Sequence, residues 1–374
     1  MALSSRPGAA ASTPDVALTA TLMAATAAAA LVLWRSRLDR PVPARAAANT
    51  TDGTLEASPS SPSSSPRKGY ASLIGNTPMV ELASLSALTG RTILAKAEHL
   101  NPGGTGKDRI ARAMIEEAEA RGLLGPAGGT VVEGTSGSTG IALAALCAAK
   151  GYRCVIVMPD DQAEEKRATL RRFGATVQTV RTAAIANPEH YVNQARKLAQ
   201  DTPGAYFTDQ FETMANYRAH LLGTGVEILH QAAAHAAGRA AGAAGAAGAS
   251  SDGVDAFVMS AGTGGTIAGV SRCLKRARPG VKVVLADPPG SSLYHWVKHG
   301  VCWAAGGKQA ERKVKKHRYD TIAEGIGLDR ITANLAEVGA AAAGATGGCR
   351  WRTCSHSNPD SLAPDRRSWT TRWR

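Results

Sequence analysis

The sequence is short of aromatic residues, 5% of its 374 positions, so its core must be built mainly from Ala, Val, Leu and Ile. It contains no Cys-x-x-Cys pair and no Cys/His set at zinc spacing. The six cysteines, at 147, 154, 273, 302, 349 and 354, therefore point to a reducing compartment, with neither a disulfide framework nor a metal site. Cys147 and Cys154 lie in apolar stretches and read as buried free thiols. Nine histidines show no spacing that favours a metal. Acidic residues are scarce enough to leave a net charge of +13, but most of that excess sits at the ends. Residues 1–68 hold 7 Lys/Arg against 4 Asp/Glu and residues 349–374 hold 6 against 2, so the middle is only +6. Its one dense basic run, Lys308 to Arg318, has no interleaved aromatics and reads as a solvated loop, so no nucleic-acid partner is expected.

The length suits two compact domains preceded by a leader. Val16–Trp34 is a 19-residue run without charge, eight of its residues Ala, followed by Arg35, Arg37, Arg40 and Arg45. As a helix it is just long enough for a bilayer, and the basic flank keeps the downstream chain in the cytosol. The alternative is a transit peptide that directs import into a mitochondrion or plastid. Ser58–Arg67 is a Ser/Pro linker. We expect a targeting or anchoring segment over 1–68, a catalytic region over 69–338, and an aberrant tail over 339–374 that does not read as folded protein. A frameshift or retained intron after about Glu337 would account for that tail. Ala232–Ser251 is Ala/Gly-rich and is expected to be a loop insertion.

Between the ends, strands and helices alternate. Strands are expected over Thr92–Ala97, Thr130–Glu133, Arg153–Met158, Thr176–Val180, Val254–Ser260 and Val281–Ala286. Helices are expected over Asp108–Arg121, from the loop after Glu133 to Lys150, and over Glu164–Phe173. This repetition implies an α/β fold with parallel sheets covered by helices on both faces.

Three loops are suited to chemistry. Asn101-Pro-Gly-Gly-Thr-Gly-Lys107-Asp-Arg has the Gly-Lys pair of a nucleotide-binding loop, but Asn101 and Asp108 stand where that pattern needs Gly and Ser/Thr. What remains is a lysine at a helix start, where the dipole and desolvation lower an amine's pKa. Thr135-Ser-Gly-Ser-Thr139 offers hydroxyls and free N–H groups to an anion such as a carboxylate. Gly262-Thr-Gly-Gly-Thr266 suits a phosphate. A dinucleotide reading, with Asp287 as the ribose-binding acid, fails because Ile267 replaces the third Gly.

The order of these loops resembles the cysteine synthase/cystathionine β-synthase family. The matching words are IGNTP, NPGGTGKDR, EGTSGSTGIALA, VIVMPDDQAEEKR, DQFETMANYRAH, SAGTGGTIAG and AEGIG, which cover about two-thirds of the chain from Ile74 to Gly327. The chain looks most like the membrane-anchored cysteine synthases of fungi, which places it by resemblance on the mitochondrial outer membrane. The resemblance implies the two-domain, tryptophan-synthase-β-like fold (fold type II), with a smaller domain over roughly 112–222 and a larger one over 69–111 and 223–338. It implies a homodimer and pyridoxal 5'-phosphate as cofactor, with Lys107 as both Schiff-base lysine and general base. Ser138, Gly262, Thr263, Gly264, Gly265, Thr266 and Gly325 would contact the cofactor, while Thr135, Ser136, Gly137, Thr139 and Gln210 would hold the substrate carboxylate. No metal is implied. The implied reaction is β-replacement on O-acetyl-L-serine by sulfide. The alternatives are a serine/threonine dehydratase, a cystathionine β-synthase, or an inactive binding or scaffold protein. Two departures stand out: Ser138 where most of the family has Asn, and the missing C-terminal part.

Overall fold

A computed structural model describes residues 69–125, 128–242, 253–288, 290–302, 325–337 and 351–354. The Val16–Trp34 run, the Ser/Pro linker, the Lys308–Arg318 run and the tail from 355 lie outside the described residues, as do 338–350. No helix among the described residues is long and apolar enough to cross a membrane.

The described chain opens with a small antiparallel pair, β1 (Met79–Glu81) and β2 (Leu94–Lys96), flanking the short helix α1 (Ala83–Thr89). Then comes α2 (Lys107–Ala120), which starts one residue before the expected helix. A left-handed Gly122 (φ 69°) follows its end. Four parallel strands form the first large sheet: β3 (Thr130–Gly134), β4 (Arg153–Pro159), β5 (Thr176–Val180) and β6 (Ala205–Phe207). The helices α3 (Ser138–Lys150), α4 (Glu164–Arg172) and α5 (Tyr191–Asp201) connect them. The strands β3, β4 and β5 lie within a residue of their expected ranges; β3 and β4 are short β-branched runs, largely buried, and β5 is a half-exposed strand rich in Thr and Val.

Alternation along the strands sorts the core. Val131, Ile156 and Met158 pack with Ile110, Met114, Leu143 and Leu146 from α2 and α3. Val132 and Val157 point the other way, against Ala195 and Ala199 of α5. The sheet is thus covered on both faces. Cys147 and Cys154 are free and buried in the first of these layers, as expected.

The strand order is β5-β4-β3-β6. The chain leaves β3 toward β4 and later returns to β6 on the opposite side. The carboxyl ends of β3 and β6 therefore flank a topological switch point, where open α/β sheets place their ligands.

The following helical stretch comprises α6 (Met214–Ala219), a π-helical turn at His220–Thr224, and α7 (Gly225–Gly242). The last corrects an expectation: the first half of the Ala-rich segment, 232–242, continues the helix. Ala is the best helix former, so low complexity here did not mean loop. A second parallel sheet holds β7 (Ala256–Met259), β8 (Lys282–Ala286) and β9 (Trp351–Cys354), with α8 (Gly265–Ala277) after β7 and α9 (Leu293–His299) after β8. The strand β9 is a second correction, since nothing after 339 was expected to fold. Its Trp-Arg-Thr-Cys sequence shows no long apolar run, yet four residues suffice to pair with an open strand edge.

Candidate active site

The Gly-rich stretch before Lys107 is folded around Asp108. That carboxylate, fully buried, accepts from Gly103 N (2.8 Å) and Thr105 N (3.2 Å), and Thr105 Oγ1 accepts from Lys107 N (3.0 Å). The loop's own carboxylate therefore consumes the donors that a phosphate would need. The nucleotide-loop reading fails for this physical reason as well as on its spacing.

One residue further, Arg109 is buried and forks onto two acids. Its Nε and Nη2 meet Glu98 (2.7 and 2.8 Å), and its Nη1 and Nη2 meet Glu227 of α7 (2.6 and 2.8 Å). Lys96 adds a second cation to Glu227 at 2.6 Å, and Asn76 N donates to the same carboxylate at 2.9 Å. Burial alone would raise the pKa of Glu227, but Arg109 and Lys96 outweigh it and hold the group at about 2. This network fixes the Ile74–Pro78 loop and the start of α2 to α7.

The Lys107 side chain is left facing a pocket. No hydrogen bond or ion pair to its Nζ occurs among the described residues, and burial lowers its proton affinity. The open pocket, about 320 Å³ counting the solvent space at its mouth, has a lining that includes Lys107, Ser260, Gly262, Thr263, Gly264, Thr266 and Gly325. Of the residues expected to hold a cofactor, the fold thus brings together all but two. Gly265 lies behind the lining, and Ser138, the first residue of α3, is exposed and outside it.

The phosphate-type loop is tightly built. Gly264 is left-handed (φ 85°) as the N-cap of α8, and a Cβ there would lie 2.2 Å from Leu335 Cγ. A Cβ on Gly265 would lie 1.9 Å from Asn216 Oδ1, a buried oxygen with no partner among the described residues. Asn216 Nδ2 donates to Thr263 Oγ1 (2.9 Å). Thr266 Oγ1 meets His220 Nε2 at 3.1 Å, and His220 Nδ1 meets Thr224 Oγ1 at 3.0 Å. Burial, then Lys107 and Arg109, push His220 down to about 3, so it is neutral at pH 7. We expect Gly265→Ala to cost roughly 1–3 kcal/mol through this overpacking and to weaken phosphate binding. Thermal unfolding with and without inorganic phosphate measures both.

The carboxylate-type loop lies at the switch point between β3 and β6. Thr135, Thr139 and Gln210 are buried there, and Thr139 Oγ1 donates to Gln210 Oε1 at 2.6 Å. Thr135 Oγ1 accepts from Gly137 N at 3.3 Å, closing the turn, while Ser136 is half-buried. Beneath this turn Glu133 is fully buried, and burial pushes its pKa from an ordinary 4.5 up to about 8. The neutral acid's contribution to stability is whole below about pH 4.5 and is lost as pH rises through about 8. Glu133→Gln, neutral throughout, is therefore expected to gain on the wild type as pH climbs across that window. Urea unfolding at stepped pH checks it.

Asp287 lies far from a ribose-binding role. Its Oδ2 accepts from Tyr294 N at 2.8 Å, fastening the start of α9. Sequence reasoning missed Glu133, Asn216, His220, Glu98 and Glu227 as members of the site or its support. The first three do stand inside the matching words that begin at Glu133 and Asp209.

The model of the family described as pyridoxal-phosphate dependent enzyme matches residues 70–346. The chain belongs to that family. Cysteine synthase 2 of Schizosaccharomyces pombe is 47% identical over 275 residues, 71% of this chain and 65% of that one. Cysteine synthase 2 of Neurospora crassa is 47% identical over 279 residues, 72% of this chain and 57% of that one. Cystathionine beta-synthase of Saccharomyces cerevisiae is 39% identical over 268 residues, 71% and 48% of the two chains. The chain thus spans less than two-thirds of the length of these curated relatives. Among solved structures, an O-ureido-L-serine synthase covers 72% of each chain at 31% identity, with a TM-score of 0.57. The fold is the α/β fold type II of pyridoxal-phosphate enzymes. The cofactor of the family is pyridoxal 5'-phosphate, and the residues present fit it. The chain offers a desolvated lysine amine without a counter-ion among the described residues, a glycine cradle that no Cβ could share, and the start of a 13-residue helix at which a phosphate would be held.

Proposed function

We propose that the chain is a pyridoxal-phosphate-dependent cysteine synthase, exchanging the acetate of O-acetyl-L-serine for sulfide to give L-cysteine. The observation that carries this reading is the single pocket that sets the unpaired Lys107 amine against the Gly262–Thr266 loop. In this reading Gly262, Thr263, Gly264, Gly265 and Thr266 hold the phosphate, and Gly325 lines the cofactor. Thr135, Ser136, Gly137, Thr139 and Gln210 hold the amino-acid carboxylate, with Ser138 above them at the helix start. When bound, the cofactor supplies an electron sink for the Cα carbanion. Lys107 takes the Cα proton, a task suited to an amine whose pKa burial has lowered. The dipole of α3 and the buried hydroxyls orient the carboxylate, which fixes the Cα–H bond relative to Lys107.

The proposal extends to a homodimer of two-domain subunits, with the smaller domain over about 112–222. It also extends to anchoring through Val16–Trp34, with the catalytic region facing the cytosol from the mitochondrial outer membrane. Full-length chain that resists carbonate extraction from membranes supports the anchor; a shortened N-terminus in the mature protein supports import instead.

A second reading, cystathionine β-synthase or serine/threonine dehydratase chemistry, draws on the 39% identity to the yeast cystathionine beta-synthase. Purified holo-protein given O-acetylserine with sulfide, serine with homocysteine, and serine alone separates the readings. Cysteine formation is expected to dominate. A chain with no visible cofactor band and no turnover is the inactive binding protein.

A further inference from the structure

The substrate site read at Thr135–Thr139 rests on an acid that belongs to neither loop. Glu133, the fourth residue of β3, makes no ion pair among the described residues although it is 0% exposed. Its Oε2 accepts from the Thr208 hydroxyl and from Gln210 N (3.4 Å), while its buried Oε1 has no partner among the described residues. Between those two donors stands Asp209 at φ 47°, a left-handed conformation that costs an L-residue roughly 1–2 kcal/mol. One carboxyl group therefore clamps both flanks of a strained one-residue turn. Gln210 carries the consequence outward. Its Oε1 receives the Thr139 hydroxyl at 2.6 Å, and its carbonyl is held by Asn216 Nδ2 at 2.9 Å.

We propose that Glu133 is a positioning residue of the substrate site, whose carboxyl group clamps the Thr208–Gln210 turn and so holds Gln210 against Thr139. Both donors converge on Oε2, which leaves the acid proton to Oε1. The titratable groups around it are Asp209 in the turn, paired at 3.1 Å with Arg196 of α5, then Tyr206 on β6 and Cys154 on β4, with Cys147 of α3 behind it. Ionisation would keep the two donated bonds but set a buried negative charge beside Asp209 and near a bound carboxylate, opposing that carboxylate. Burial puts that event at about pH 8.

The inference depends on the carboxylate reading of the loop, and its test separates the two. Holo-protein is titrated with L-serine by calorimetry from about pH 6.5 to about pH 9.5, as wild type, Glu133→Gln and Glu133→Ala, with the KM for O-acetylserine and for sulfide measured at neutral pH. Wild-type affinity for serine is expected to fall above about pH 8, and Glu133→Gln to flatten that fall beyond what the shared titration of the amino acid imposes. Glu133→Ala is expected to raise the O-acetylserine KM by about tenfold or more, as for a lost buried hydrogen bond, with the sulfide KM and the visible cofactor band unchanged. If Glu133→Ala does not fold, the pH profile of Glu133→Gln decides. Identical profiles for wild type and Glu133→Gln overturn the inference while leaving the substrate reading intact. Wild type that binds no serine and shows no saturation with O-acetylserine overturns the carboxylate reading, and the role of Glu133 with it.

Discussion

Under the proposed function, replacing Lys107 with Ala is expected to lower cysteine formation by about 10²–10⁴-fold, the usual worth of a positioned acid–base group, and to remove the visible absorbance band of the holo-protein. The same substitution should leave the thermal stability of the cofactor-free chain unchanged or slightly raised. The reason is visible in the site. The Lys107 ammonium is desolvated and no described residue compensates it, so its burial opposes folding. A lysine present for structural reasons behaves in the opposite way, losing stability on truncation and leaving spectrum and turnover alone. Measuring melting temperature, absorbance and rate on one preparation distinguishes the two. An unchanged band in Lys107→Ala would remove this residue from the chemistry.

Arg109→Ala is expected to destabilise the chain by up to about 3–5 kcal/mol, because it removes a buried cation from two half-buried carboxylates, of which only Glu227 keeps a cationic partner, in Lys96. At roughly 2–4 °C per kcal/mol for a domain of this size, the melting temperature drops by about 6–20 °C. Arg109→Lys should recover only part of the loss, since an ammonium cannot fork onto Glu98 and Glu227 together. The deficit should shrink in acid. Glu227 is depressed to about 2 in the folded chain, so the stability it contributes is present above its ordinary 4.5 and is lost as pH falls through about 2. In the variant, once the stranded acid protonates, much of the penalty disappears. Thermal melts at pH 7 and at about pH 4 check the difference.

The contrast between these two neighbours shows what a sequence exposes. Lys107 could be singled out because Gly and Lys residues around a helix start form a local pattern, and loops built from such patterns recur in a readable order. The first sheet was legible for the same kind of reason: Val131–Val132 and Ile156–Val157–Met158 are short apolar runs between turn residues. Arg109 looked like an ordinary charged residue of an amphipathic helix, since nothing local announces Glu227, 118 positions away. Glu133 likewise meets Thr208 across 75 residues, and Thr266 meets His220 across 46. Strand β6 is three residues long and follows a helix of mixed polarity, so no period identifies it. The Ala-rich part of α7 failed differently. Composition there suggested a loop insertion, while the backbone preference of Ala decided for helix.

The knot of hydrogen bonds on either side of Lys107 has one consequence for timing. Asp108 holds the preceding loop and Arg109 holds the following turn, so the backbone at Lys107 is pinned on both sides. Only the four bonds of its own side chain remain to carry the amine toward a reacting carbon and away again. Such a swing is a change of rotamer, far quicker than the microseconds to milliseconds of a moving domain. In the proposed reaction the reach of the amine should therefore not be what limits turnover.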